Sequence, residues 1–193
     1  MRPASWLPRK GAAPAQNPAT PLTMSSLQLD PILLEAVIRG TAEGLTMTGL
    51  TPPPVGASRF HTVSRPISVM VGMVGKTNGT CAISLSEKAM LHIASQLMGE
   101  ERREIDVETV DAIGEVANMI AGRVKELLVG TPFEMENISV PSVIMGASYS
   151  VHFARGMHVV SVDFELSNLP LTDAKDRFFS VTLSLLRRVA VAA

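Results

Sequence analysis

The chain contains 193 residues, enough for one domain with a sizeable hydrophobic core and a short additional segment. Hydrophobic residues make up 46% and charged residues 18%, which is typical of a globular protein and excludes overall disorder. The net charge is −1. Three of the bases, Arg2, Arg9 and Lys10, lie in an N-terminal segment without acids, so acids outnumber bases in the rest of the chain, which offers no basic surface to nucleic acid. No apolar run is long enough for a membrane span, and the single cysteine, Cys81, cannot form an intramolecular disulfide. We therefore predict a cytoplasmic protein.

The first 26 residues differ in composition from the rest. They are rich in proline and alanine, show neither helical nor alternating periodicity, and lack the apolar stretch of a signal peptide. We predict that residues 1–26 form a disordered tail and that residues 27–193 form a single domain. Either Met1 or Met24 is compatible with the start of translation.

The first predicted elements are a helix and a hairpin. Asp30-Pro31 is a good helix entry, and the apolar spacing that follows predicts a helix to about Thr46, before the prolines at 52–54. Residues 67–74 and 80–85 read as strands. The segment Lys76-Thr77-Asn78-Gly79, with its Asn-Gly pair, predicts the hairpin turn between them.

Two helices and three strands are predicted next. Ser86 can cap a short helix to Met98, and a longer helix runs from about Asp106 to Val129 with a continuous apolar stripe. An irregular strand through residues 139–150, one at 157–166 after the turn at Arg155-Gly156, and one at 178–186 follow. The predicted fold class is α+β, with helices packed on a mostly antiparallel sheet.

Three short motifs are weak candidates for chemistry. Gly75-Lys76-Thr77 resembles the end of a phosphate-binding loop, but the required first glycine is replaced by Met70 and a strand follows. His152 and His158 have no neighbouring ligand spacing that would complete a metal site. The segment at 146–150 lacks the final glycine of a nucleophile elbow. We therefore predict no nucleotide, metal or serine hydrolase site.

One side of the long helix carries a more informative set of residues. Asp111, Glu115, Asn118 and Gly122 project together beside the apolar stripe. Glu115 and Asn118 are neighbours at i and i+3, and the glycine costs about 1 kcal/mol of helix propensity relative to alanine. From the residues alone, these are either solvated helix positions or a polar pair that an approaching partner can reach.

Four ordered segments resemble a known family. They are Glu115-x-x-Asn118 followed by Met-Ile-Ala-Gly, the stretch Ile-Ser-Val-Pro-Ser-Val-Ile-Met-Gly at 138–146, the strand at 79–86, and the helix end Met-Gly-Glu at 98–100. Together they resemble the CheX branch of the CheC/CheX/FliY chemotaxis phosphatases, over about residues 27–187. The resemblance implies a CheC/CheX-like α+β fold.

The same resemblance implies a function. Such a protein hydrolyses the aspartyl phosphate of a CheY-like response-regulator receiver domain, in chemotaxis or motility signalling. By this analogy Asn118 orients the attacking water, Glu115 engages the receiver's lysine, and Asp111 and Gly122 lie where the partner approaches. The Mg²⁺ ion is expected on the receiver, with no cofactor on this chain.

The resemblance also predicts the number of sites and the assembly. CheC-type members carry a second E-x-x-N in the first helix, but here Ile38 stands three residues after Glu35, so one site per chain is expected. A homodimer is implied. The alternative function is a non-catalytic receiver-binding or motility-switch assembly module, and a more remote one is a small-molecule site between helices and sheet.

Overall fold

The computed structural model describes residues 29–59, 65–146, 149, 151–152, 156–167, 169 and 174–186. The predicted tail at 1–26 lies outside these residues, as does Arg155 of the predicted turn. Its neighbour Gly156 is described and has a φ of 88°. Among the described residues, no helix has the length and apolarity needed to cross a membrane.

The helices begin where polar side chains cap them. The three α-helices of the described residues are α1 (Pro31–Gly44), α2 (Glu87–Met98) and α3 (Val107–Leu127). Asp30, Ser86 and Asp106 each accept a hydrogen bond from a backbone N–H of the first turn. These bonds satisfy donors that have no partner within the helix. The predicted starts of all three helices are thereby confirmed.

The strands form one sheet. They are β1 (Pro54–Ser58), β2 (Ile67–Gly75), β3 (Asn78–Leu85), β4 (Met135–Ile138), β5 (Ser142–Met145), β6 (Met157–Glu165) and β7 (Phe178–Leu186). Their order is β1-β6-β7-β3-β2-β4, and β5 also pairs with β2. All the strand pairs are antiparallel. The predicted α+β class with a mostly antiparallel sheet is confirmed.

The core lies between the sheet and the layer formed by α1 and α3. Alternate residues of β7 enter it, and Phe179 stacks on Phe164 of β6 with ring centroids 5.3 Å apart. Cys81 is buried in the same core, and burial raises the pKa of its thiol to about 12. The thiol is therefore protonated at neutral pH and is not available as a nucleophile.

Close contact between α1 and α3 depends on two glycines. A Cβ atom built on Gly44 would lie 2.6 Å from the Cα atom of Ile120, and one built on Gly40 would lie 3.0 Å from the backbone nitrogen of Val124. Neither position leaves room for a side chain. These glycines allow the backbone of α1 to approach α3, which fixes the position of α3 over the sheet.

The predicted hairpin is confirmed with Lys76 and Thr77 in its loop, but the prediction that Asn78 and Gly79 form part of the turn is wrong. Asn78 and Gly79 lie within β3, and the last pair of the hairpin is Val74 with Asn78. The chain therefore turns through Gly75, Lys76 and Thr77, and Gly75 still belongs to β2 because it pairs with Met135 of β4. Gly79 has a negative φ, and its missing side chain instead allows close contact with the backbone carbonyl of Ser184 on β7. The need for a glycine therefore arises from a neighbouring strand and not from the turn.

Three predicted boundaries also need correction. The first helix ends at Gly44, and a short 3₁₀ turn at Thr46–Thr48 follows it. The prolines at 52–54 do not merely terminate a helix, since Pro54 begins edge strand β1. Of the irregular strand predicted at 139–150, the described residues form only the short strand β5, and residues 147, 148 and 150 lie outside the described part of the chain. Strand β4 precedes the predicted range, and β4 and β5 pair with different ends of β2.

Candidate functional site

Helix α3 is a well-defined support for the candidate site. At its start, Asp106 accepts a hydrogen bond from the backbone N–H of Thr109 at 2.8 Å, and the Thr109 hydroxyl accepts one from the backbone N–H of Asp106 at 2.8 Å. The hydrogen bond from the Thr109 backbone is the main reason that the pKa of Asp106 lies below its ordinary value. This reciprocal cap and a fully buried inner face hold the 21-residue helix in place.

The predicted site residues lie on the outer face of α3, which we call the polar ledge: Asp111, Glu115, Asn118 and Gly122. Asp111 and Glu115 are exposed, while Asn118 and Gly122 are half-buried. No hydrogen bond or ion pair joins the side chains of Asp111, Glu115 or Asn118 to another described residue. Their polar groups are therefore free to contact a partner.

One flank of the polar ledge is formed by the turn between β4 and β5. Pro141 in this turn packs on Gly114, the residue before Glu115, and a Cβ atom on Gly114 would lie 3.3 Å from the Cγ atom of Pro141. The small residue lets the turn lie directly against the helix. The sequence pattern gave no sign of this contact, because it joins residues that are distant along the chain.

The other flank is a groove between α3 and the end of α1. Its volume is about 570 Å³, and its lining includes Gly122 and Met119 of α3, and Met47 of the 3₁₀ turn. Space for a Cβ atom is open at Gly122, where nothing lies within 4 Å. The groove was not predicted from the sequence.

Two residues of the weak sequence motifs, Lys76 and His158, contact other side chains in the structure. Lys76, in the loop that resembles a phosphate-binding loop, forms an ion pair with Glu134 at 2.7 Å. The ring of His158 lies edge-on to Phe133, with centroids 5.6 Å apart. Among the described residues, no group of three or more His, Cys, Asp and Glu side chains could hold a metal ion.

Comparison with known protein families shows which family the chain belongs to. The sequence profile of the chemotaxis phosphatase CheX matches residues 67–165, which is just over half of the chain and includes the whole of α3. The chain belongs to the CheX family of chemotaxis phosphatases. No curated protein sequence matches it. The predicted family is confirmed, and so is chemotaxis phosphatase function at the level of the family.

Solved CheX and CheC-like structures have the same fold. The CheX protein of Desulfovibrio desulfuricans is 24% identical, with a TM-score of 0.67, over 79% of this chain and 98% of that one. A CheC-like superfamily protein of a Shewanella species is 21% identical, with a TM-score of 0.67, over 82% and 100%. CheX of Borrelia burgdorferi, in a complex with CheY, BeF₃ and Mg²⁺, is 22% identical, with a TM-score of 0.65, over 83% and 100%.

Proposed function

We propose that this CheX-family protein hydrolyses the aspartyl phosphate of a CheY-like receiver domain, using Glu115 and Asn118. The observation that carries the proposal is the pair itself. Both side chains lie one helical turn apart on a capped, well-packed helix, and neither is bonded to another described residue. In a family of chemotaxis phosphatases, an unpartnered polar pair of this kind is suited to contact a substrate protein.

Asn118 is the residue that we assign to the attacking water. In the reaction, the water oxygen forms a bond to phosphorus as the bond between phosphorus and the aspartyl oxygen breaks, and the products are inorganic phosphate and the free carboxylate. A carboxamide can both accept and donate a hydrogen bond, so it can orient the water. It also brings no negative charge close to the phosphoryl oxygens. Fixing the water in line with the leaving oxygen lowers the entropic part of the barrier.

Glu115 is assigned to the receiver's lysine. Its carboxylate is exposed and has no cation beside it in the described part of the chain. Asp111, one turn earlier, adds a second unpaired carboxylate to the same face. An acidic face attracts a lysine-bearing partner and orients it as it approaches. The receiver is expected to bring its own Mg²⁺, which neutralises charge on the phosphoryl group.

The test uses the full chain and a panel of receivers from the same genome. Each receiver is phosphorylated on its aspartate with a radiolabel, and loss of label is followed with Mg²⁺ and this protein at one tenth of the receiver concentration. We expect release of several phosphates per protein molecule from at least one receiver. If a receiver binds but loses phosphate at its intrinsic rate, the protein is a non-catalytic docking module.

We also propose a homodimer formed through the outer edge of β5. This strand has four residues, and two of them, Ile144 and Met145, are exposed apolar residues with 40% and 51% of their surface accessible. An edge of this kind is suited to pairing with a second copy. Sedimentation at micromolar concentration should give about twice the chain mass of 20.6 kDa. A species of single-chain mass would contradict this proposal.

A further inference from the structure

Two exposed apolar side chains flank the polar ledge. Met47 is 74% exposed and Val140 is 83% exposed. A single exposed apolar residue is ordinary in a soluble protein, so exposure alone carries no meaning. The positions of these two residues are more informative, because one lies on each flank of the residues proposed to contact the receiver.

Val140 is held beside the start of the ledge by a constrained turn. The neighbouring Ser139 donates its backbone N–H to the Gly72 carbonyl at 2.8 Å, and its hydroxyl accepts a hydrogen bond from the Gly72 N–H at 2.8 Å. The same hydroxyl donates to the carbonyl of Val140 at 2.8 Å. On the other side, Pro141 packs on Gly114. The backbone that carries Val140 is therefore fixed before any partner binds.

Met47 is held in a similar way on the other flank. It lies in the 3₁₀ turn, where the Thr46 hydroxyl donates to the Glu43 carbonyl at 2.7 Å and the Thr48 hydroxyl donates to the Leu45 carbonyl at 2.6 Å. The Leu45 side chain is fully buried. The turn is thus attached to the core while its central methionine points into solvent.

The charged side chains on the rim of the groove beneath Met47 each have an ion-pair partner. Arg123 forms an ion pair with Glu126 at 2.6 Å, and Glu43 pairs with Arg39 at 3.4 Å. An apolar side chain can enter this groove without leaving a charged group unpaired. Gly122 belongs to both the groove and the ledge, so a partner that contacts the ledge at Gly122 also lies at the groove.

We propose that Met47 and Val140 are docking residues, each taking an apolar contact from the receiver surface on either side of its phosphorylated pocket. The proposal rests on the proposed function and adds the source of the affinity. The Glu115 carboxylate orients the receiver's lysine, and apolar contacts on either side of it exclude water from that pair and add buried apolar area to the interface. Preformed turns add to this, because little conformational entropy is lost when the receiver binds.

The test separates docking from chemistry. Met47→Ala and Val140→Ala are compared with Val55→Ala, a variant of a 50% exposed valine on edge strand β1. Affinity is measured by calorimetry against a receiver loaded with BeF₃ and Mg²⁺, and turnover is measured with the phosphorylated receiver. We expect each docking variant to weaken affinity about tenfold, equivalent to about 1.4 kcal/mol. Turnover at saturation should stay within about twofold of the wild type, and Val55→Ala should change neither quantity.

The outcomes distinguish this proposal from the proposed function. Thermal unfolding of the variants is the control for folding, since both side chains are exposed. Unchanged affinity in both variants overturns the docking proposal, whether or not the wild type is a phosphatase. Weakened affinity with a wild type that releases no phosphate supports docking and overturns the catalytic function. A wild type that binds none of the receivers overturns both.

Discussion

Helices α1 and α3 pack against each other, and each carries an exposed glutamate, but the neighbours of the two glutamates differ. In α1, Glu35 accepts a hydrogen bond from Arg39 at 3.3 Å, and Ile38, three residues after the glutamate, packs against the core. In α3, Glu115 has no partner among the described residues and Asn118 takes the place of the apolar residue. The local pairing in α1 satisfies the carboxylate within the helix, whereas α3 leaves its polar groups for another molecule.

The glycines of the two helices show the same division. Gly40 and Gly44 of α1 face the backbone of α3 at distances that exclude a side chain, while Gly122 of α3 faces open space. We infer that α1 acts as a support that positions α3, and that α3 presents the functional residues. If this division is correct, substitutions in α1 should reduce stability, and substitutions on the polar ledge should reduce activity.

The largest effect is expected from Asn118→Ala. Loss of the group that orients the water should slow dephosphorylation about 100-fold or more, because misplacing a reacting group carries a penalty of this order. Receiver affinity should largely survive, and the free energy of unfolding should change by less than about 0.5 kcal/mol. Single-turnover kinetics with labelled receiver measures the first quantity and urea unfolding the last.

The matched control for this substitution is Gln96→Ala, which removes an exposed carboxamide from α2. It should leave both rate and stability unchanged. A wild-type rate for Asn118→Ala would remove Asn118 from the reaction and leave Glu115 without its proposed companion.

The next effect is expected in stability. Gly44→Ala places a methyl group 2.6 Å from the Cα atom of Ile120, so the two helices must move apart. Overpacking of this kind destabilises a core by about 2 kcal/mol. Chemical unfolding should show the loss directly, and the activity per folded molecule should fall much less than it does for Asn118→Ala. Unchanged stability would mean that α1 does not fix α3.

A smaller effect is expected from removing charge at equivalent positions of the two helices. Glu115→Gln should weaken receiver affinity about tenfold, because the proposed lysine contact is already present in the bound complex. Glu35→Gln removes only an exposed pair with Arg39, which contributes less than about 0.5 kcal/mol to stability and nothing to docking. Calorimetric titration of both variants with the same receiver compares them, and equal affinities would contradict the assignment of Glu115.

The sequence predicted most of the elements, because their signals are local. Helix starts are marked by the caps at Asp30, Ser86 and Asp106, and the end of α2 is marked by the left-handed Gly99, each directly beside the helix that it bounds. The helical projection of α3 also placed Glu115 and Asn118 outside the core. Strand β1 escaped prediction, because its residues are exposed and only its pairing with β6 makes it a strand.

The surroundings of the site could not be predicted in this way. The contact of Pro141 with Gly114 and the groove under Met47 each join segments that are distant in sequence. Nothing in a local pattern distinguishes Gly44, which is pressed against a neighbouring helix, from Gly122, which is open. Only tertiary packing assigns the two glycines to different roles.

The smallest and most specific effect is expected from Gly122→Ala. A Cβ atom at this position meets no neighbour within 4 Å, and alanine favours the helix over glycine by about 1 kcal/mol. The variant should therefore be more stable than the wild type, and the change in stability should be opposite in sign to that of Gly44→Ala.

The same variant tests how closely the receiver approaches α3. If the receiver contacts α3 at Gly122, the added methyl group should raise KM severalfold while kcat stays constant, since the methyl group obstructs docking and does not disturb the oriented water. Unfolding curves and steady-state kinetics on the same preparation test both halves. A gain in stability with an unchanged KM would show that the receiver leaves space at Gly122, and would confine the interface to the Asp111, Glu115 and Asn118 end of the ledge.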